Sequence, residues 1–208
     1  MGLLALLSLA AAQGNLYGPG TPDNASYIRV VHAAADAPEA TALIGGGLSG
    51  ESLAYGEVSD YALVLSGETP VVVEVGDEAL ELTVEVAPLS FYTVALVGST
   101  ESPELRLIED EVSDNLARTL LALYNFTEAT LALRTADGET EIVAGVGPIA
   151  ADGVMVNPVT VSLGVFEGEE LRYTLTEVRL EAGEAYSVVV FGPPEEGAVS
   201  LVRAAGGD

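Results

Sequence analysis

The chain offers one imidazole, and any triad chemistry would have to pass through it. His32 has Asp36 four residues on, so a base with an orienting acid is conceivable. A hydrolase or acyl transferase also needs a hydroxyl or thiol nucleophile that this base can activate. No Gly-x-Ser-x-Gly elbow and no Gly-Asp-Ser motif supplies one, and there is no cysteine. His32 is therefore expected to end a strand and to hydrogen-bond the turn that follows. A zinc-type centre would need further imidazole or thiolate ligands. A hard cation would need clustered oxygen ligands. The densest group, Glu109-Asp110-Glu111 with Asp114, lacks the spaced D-x-D-x-D-G pattern and reads as a solvated linker. The expectation is no catalytic residue, no metal ligand and no cofactor.

Charge narrows the partners. There are 32 acidic residues against seven Arg and no Lys, a formal net charge of −25. Nucleic acid is excluded as a partner, because its binding rests on Lys and Arg neutralising phosphates. Two causes of the acidity compete: a surface kept hydrated and soluble in a salty medium, and an acidic docking face for a basic partner. The acids are spread through both halves, which favours the first.

The elements that would carry such a surface are strands, and they come twice. Tyr27-Ile28-Arg29-Val30-Val31-His32-Ala33 is answered about 93 residues on by Leu120-Leu121-Ala122-Leu123-Tyr124-Asn125-Phe126. Tyr92 and Gly98 recur as Tyr186 and Gly192 at a spacing of 94. A period this long exceeds the roughly 20–50 residues of solenoid repeats and means two domains. Leu80, Leu82, Val84 and Val86 alternate with Glu81, Thr83 and Glu85, the period of a strand with one wet face. Gly76-Asp77, Asp137-Gly138 and Gly168 mark hairpin turns. Tyr92 and Tyr186 are expected in the cores with tethered hydroxyls. About seven short strands per 90 residues predict an all-β chain of two tandem Ig-like β-sandwich domains related by internal duplication.

The apolar run from Met1 to Ala12 ends in Ala10-x-Ala12 and reads as a signal peptide cut before Gln13. The expected division is a signal at 1–12, an N-terminal β-sandwich at 13–109, an acidic linker at 110–116 and a C-terminal β-sandwich at 117–208. No later stretch is long and apolar enough to be a membrane-spanning helix.

Several segments, in order, resemble the AlgF family of alginate O-acetylation proteins. Leu16-Tyr17-Gly18-Pro19 resembles its mature start, and Ile28-Arg29-Val30-Val31-His32-Ala33 its V-R-V-aromatic-N-A segment. Leu133-Arg134-Thr135-Ala136-Asp137-Gly138 is similar to its L-K-T-A-D-G hairpin. Asn157-Pro158-Val159 through Gly168 is similar to its N-P-V-x-V-x-L-x-L-F-x-G stretch, and Leu180 to Ala185 to its L-x-x-G-E-A. His32 departs from the family's usual Asn, which Asn125 keeps in the second copy.

The resemblance implies a periplasmic, non-catalytic adaptor of two β-sandwiches. Its implied partners are a membrane O-acyltransferase and periplasmic acetyltransferases that modify alginate or a similar exopolysaccharide. The alternatives are a carbohydrate-binding module that holds the polymer, and a structural exported protein. Leu16, Tyr17 and Pro19 are the candidate partner contacts. For an alginate-like polyuronate the candidate contacts are Arg134, Arg172 and Arg179. The net charge opposes that polymer over about 10 Å at 0.1 M salt, which makes contact with a more basic protein the simpler reading.

Overall fold

The structure, a computed structural model, describes residue 22 and residues 24–113, 115–192 and 197–204. The signal segment and the candidate contacts Leu16, Tyr17 and Pro19 lie outside the described residues. Within them the chain forms strands and no helix.

The first sandwich pairs two four-stranded sheets. One contains β1 (Ala25–His32), β4 (Ala62–Leu65), β7 (Phe91–Ser99) and β8 (Ser102–Asp110), in the order β4-β1-β7-β8. The other contains β2 (Ala40–Ile44), β3 (Gly47–Leu53), β5 (Gly67–Val75) and β6 (Glu78–Val86), in the order β3-β2-β5-β6. The second sandwich repeats both sheets eight strands later. Its β9 (Thr119–Phe126), β12 (Ala150–Val156), β15 (Ala185–Phe191) and β16 (Ala198–Ala204) run β12-β9-β15-β16. Its β10 (Leu131–Thr135), β11 (Glu141–Val146), β13 (Val159–Glu167) and β14 (Glu170–Leu180) run β11-β10-β13-β14.

The all-β tandem sandwich matches the sequence reading, and the registers support the duplication. β1 and β7 pair in parallel with Ile28 opposite Tyr92, and β9 and β15 pair in parallel with Leu121 opposite Tyr186. The repeat puts Ile28 on Leu121 and Tyr92 on Tyr186, so equivalent residues face each other in both copies. Three strands went unread in the sequence: β2, β3 and β12. β2 is only five residues long and has alanine at two of its first three positions, and Gly45-Gly46-Gly47 beside it reads as a turn and not as the start of β3. Among the described residues each sandwich therefore has eight strands, not seven.

The β6 strand behaves as its alternation implies. Val84 and Val86 are buried while Glu81 and Glu85 are exposed. The central strands β1, β7, β9 and β15 are different, being buried almost end to end. Successive side chains of a strand point to opposite faces. Ile28, Val30, Val94 and Leu96 fill the first sandwich, and Leu121, Leu123, Val188 and Val190 fill the second. The alternate residues Val31, Ala95, Val97, Tyr124, Phe126, Val189 and Phe191 form a third apolar cluster joining the two sandwiches face to face. Apolar residues at every position are what a strand covered on both faces requires.

Candidate functional site

At one end of that shared face the apolar cluster gives way to a buried polar one. Arg29 stands on β1 between Ile28 and Val30, and being one residue out of phase with them it points away from the first core. Its side chain is buried, 1% exposed. Nε donates to Thr93 Oγ1 on the neighbouring β7 at 2.9 Å, and Nη2 donates to Ser187 Oγ on β15 at 3.3 Å. The guanidinium carbon lies 4.7 Å from the Tyr61 ring centre and 4.8 Å from that of Tyr124. Such cation–π contacts, when desolvated, are worth up to about 2 kcal/mol each. Nη1 is buried and has no hydrogen-bond partner among the described residues.

The counter-charge is Asp110, the last residue of β8. The sequence assigned it to a solvated linker; the structure corrects this. Asp110 is buried because three hydroxyls converge on its carboxylate. Thr93 donates at 2.8 Å to both oxygens, Tyr61 donates to Oδ2 at 2.8 Å and Tyr124 donates to Oδ1 at 2.8 Å. Tyr124 belongs to the second sandwich, so Asp110 and Arg29 each bind across the shared face. The Thr93 hydroxyl accepts from Arg29 and donates to Asp110, bridging the two charges. Burial pushes both phenols well above their ordinary range; Asp110 adds to the rise and Arg29 opposes it.

Beside this cluster the sandwiches part into a cleft of about 570 Å³. One wall is aromatic: Tyr27 stacks on Phe91 at 4.6 Å, and Tyr61 meets Phe91 edge-on at 5.2 Å. The opposite wall is Leu120, Ala122, Met155 and Val202. Arg29 and Ser187 also line the cleft, with Ser113 and Asn115 contributed by the connection from β8 to β9. Arg118 and Arg203 also line it, with Asp60, Glu111 and Glu184. Arg118 Nη2 donates to Met155 O at 2.6 Å, and Arg203 pairs with Glu184 at 2.7 Å. That pairing lowers the Glu184 carboxyl below its usual range.

None of Arg29, Tyr61, Asp110 and Tyr124 was read as functional in the sequence. The available signal was an arginine inside an otherwise apolar strand, Ile28-Arg29-Val30-Val31. A buried cation must find partners, but its partners come from Thr93, Asp110 and Ser187, far apart in sequence.

The residues that were read as candidates sit elsewhere. His32 ends β1 and is fully buried. Its Nε2 is 2.9 Å from Pro38 O in the following turn, and its ring meets Tyr55 edge-on. Tyr92 is buried and its hydroxyl accepts from the Ala87 N–H at 3.2 Å. Arg134, Arg172 and Arg179 share the sheet β11-β10-β13-β14. Arg134 pairs with Glu141 and Glu169, and Arg172 with Glu167 and Glu170, which gathers both at the β13–β14 turn. Arg179 lies seven residues further along β14, roughly 23 Å at strand spacing, and pairs with Glu181. Among the described residues no group of three or more acidic or imidazole side chains is placed to hold a metal ion. No helix among them is long and apolar enough to cross a membrane.

Comparison with known proteins adds what geometry cannot. Residues 1–187 match the family model described as "Alginate O-acetyl transferase AlgF". The alginate biosynthesis protein AlgF of Pseudomonas putida is 29% identical over 195 residues, covering 92% of this chain and 85% of that protein. Its namesake in Pseudomonas aeruginosa is 29% identical over 189 residues, covering 91% and 83%. The solved C-terminal domain of AlgF from P. aeruginosa is 33% identical and spans 42% of this chain and 98% of that one, at a TM-score of 0.39. The family match spans the first sandwich, the connection, and the second sandwich as far as Ser187 in β15, and the chain belongs to the AlgF family of alginate O-acetylation proteins.

Proposed function

We propose that this chain is a non-catalytic periplasmic adaptor in the O-acetylation of alginate or a similar exopolysaccharide, linking a membrane O-acyltransferase to periplasmic acetyltransferases. In this reading residues 1–12 direct export, 13–109 and 117–208 are the two β-sandwich domains, and Leu16, Tyr17 and Pro19 contribute partner contacts. The observation that carries it is the state of His32. A general base must reach the proton it removes. The His32 ring is buried, its Nε2 is taken by Pro38 O, and among the described residues no hydroxyl or carboxylate meets its Nδ1. The arginines Arg134, Arg172 and Arg179 each face carboxylates of their own sheet, which favours protein contact over direct polymer binding.

The test is complementation combined with capture. In cells lacking the gene, the tagged wild-type chain and the His32→Asn variant are both expected to restore O-acetyl content and to co-purify the two kinds of transferase. Purified wild-type chain that turns over an acetyl ester, with the activity lost in His32→Ala, would overturn the non-catalytic reading. Restored acetylation without capture of either transferase would overturn the adaptor role.

A further inference from the structure

We infer that the outer edge of β4 docks an extended segment of another protein, apolar at alternate positions and flanked by Lys or Arg. The inference stands apart from the adaptor reading, because it concerns what this edge binds and not what the chain does for acetylation. It rests on one strand edge that departs from the others. β4 ends its sheet, in the order β4-β1-β7-β8, so alternate N–H and C=O groups face outward with no strand to meet them among the described residues. Proteins blunt such edges with charge, because an apolar edge recruits another strand. Every other edge strand of the four sheets carries at least one Asp, Glu or Arg. β4, Ala62-Leu63-Val64-Leu65, carries none, in a chain with 32 acidic residues.

The face beside this edge is apolar too. Val64 packs into the first core, while Leu63 and Leu65 are 52% and 53% exposed. Leu63 lies opposite Tyr27, and Tyr27 opposite Phe91, on which it stacks. An apolar row thus runs from the edge across three strands. On an added strand, main-chain hydrogen bonds would supply affinity, and alternate side chains would extend this row. The charge of the occupant follows from the two ends of β4. Asp60 precedes the strand and Glu68 follows it, both exposed. Glu68 lies opposite Glu85 on β6, also exposed, and like charges directly opposite are destabilising. The first sandwich has no cation free to relieve them: of its two arginines, Arg29 is buried and Arg106 pairs with Glu104 on β8, the far edge of the sheet. A Lys or Arg of a partner would relieve them. A second copy of this chain would not, because antiparallel pairing of two β4 strands about Val64 brings Asp60 of each toward Glu68 of the other.

The test is an NMR titration of the full chain with the synthetic peptide acetyl-Lys-Ile-Thr-Val-Thr-Ile-Lys-amide at low and at high NaCl. Two control peptides carry Glu in place of both Lys, or Pro-Pro in place of Val-Thr, which removes a donor from each edge of the peptide strand. The first peptide is expected to shift the amides of Ala62 to Leu65 with saturation, more weakly at the higher salt, while both controls leave them in place. Leu63→Lys puts a like charge on the edge and should weaken binding on the order of tenfold or more. Should that variant fail to fold, Glu68→Lys changes an exposed site; it should weaken binding of the Lys peptide and let the Glu peptide bind. No saturable shift, equal binding of either control, or binding unchanged in both variants would overturn the inference. A wild-type dimer in sedimentation that Leu63→Lys dissociates would also overturn it, by assigning the edge to a second copy. Protection of every β4 amide from hydrogen exchange in the free monomer would do the same, by assigning the edge to residues 13–21 of the chain itself.

Discussion

The two sandwiches share one topology, yet they place different side chains at equivalent positions of their shared face. On the first, β1 offers Arg29 and Val31, Ala33 follows it, and β7 offers Val97. The repeat puts Ala122, Tyr124, Phe126 and Phe191 at the same places on the second. At each of these four places the larger group of one copy is answered by a smaller one in the other: Arg29 by Ala122, Tyr124 by Val31, Phe126 by Ala33 and Phe191 by Val97. A duplicated sheet that packs on its own copy needs this, because close-packed interiors have no room for two large side chains at one point. Arg29 has space to reach Ser187 because its own equivalent is Ala122. Phe191 stacks on Phe126 at 5.9 Å within the same cluster that holds Ala33 and Val97. Away from the face, divergence is conservative: His32 holds Pro38 O, and Asn125 at its equivalent position donates to Ala129 O, Val146 O and Gly147 O.

The largest way to break this arrangement is at Asp110. Asp110→Ala leaves three buried hydroxyls and the Arg29 charge without their acceptor. We expect a loss of about 3–5 kcal/mol in chemical denaturation. Arg203→Ala, which removes an exposed ion pair of the second sandwich, should leave the denaturation midpoint unchanged. A small loss for Asp110→Ala would mean that the cluster contributes nothing to holding the copies together.

The paired glycines Gly98 and Gly192 sharpen the comparison. Both have positive φ, 90° and 66°. A Cβ on Gly98 would lie 2.3 Å from the Ser102 backbone oxygen, while one on Gly192 would lie 2.4 Å from the Tyr55 hydroxyl. Backbone cannot yield, but a hydroxyl can be deleted. Gly98→Ala should cost about 3 kcal/mol in any background. The cost of Gly192→Ala should fall to about 1–2 kcal/mol, the backbone part alone, when combined with Tyr55→Phe. Thermal melts of the single and double variants decide this; equal rescue at both positions would break the distinction.

Alkaline stability reports on the cluster as well. Burial raises the phenols of Tyr61 and Tyr124 above the ordinary 10.0. Their contribution is in place below pH 10, where folded and unfolded chains both keep the protons. It is lost as pH rises past that value toward the raised folded ones, because the unfolded chain then releases protons that the folded chain holds. The slope approaches about 1.4 kcal/mol per pH unit for each phenol. A Tyr61→Phe, Tyr124→Phe double variant should be less stable at pH 7 and should show a flatter decline above pH 10.

The smallest expected effect lies in the turns before β7 and β15. Leu89 holds φ 59° where its equivalent Gly183 holds 79°. Gly183→Ala should cost about 1 kcal/mol, and Leu89→Gly should be neutral to slightly stabilising. A cost for Leu89→Gly equal to that of Gly183→Ala would show that Leu89 is not strained.

Much of this was legible from the chain. The alternation from Leu80 to Val86 falls within β6, because one face of that strand is wet and the pattern is clean. The turns at Gly76, Gly138 and Gly168 were read because left-handed φ favours glycine, and all three have positive φ. The duplication was legible from Tyr92 and Tyr186, whose core roles recur. The shared face was not. A continuous apolar strand such as Val94 to Val97 says that both faces are covered but not by what. Asp110 lies inside the densest acidic run, and composition alone made it linker. Its burial depends on Tyr61, Thr93 and Tyr124, brought together only by strand pairing and by one sandwich packing on the other.

The measurement that tests the central claim most directly is calorimetry of the full chain with and without Phe191→Ala. Phe191 is fully buried in the cluster that joins the sandwiches, and its truncation should cost about 3–5 kcal/mol. If the two sandwiches are one cooperative body, the wild type unfolds in a single transition and the variant shifts that whole transition downward. Two transitions in the wild type, with Phe191→Ala moving only the one that belongs to the second sandwich, would contradict the account.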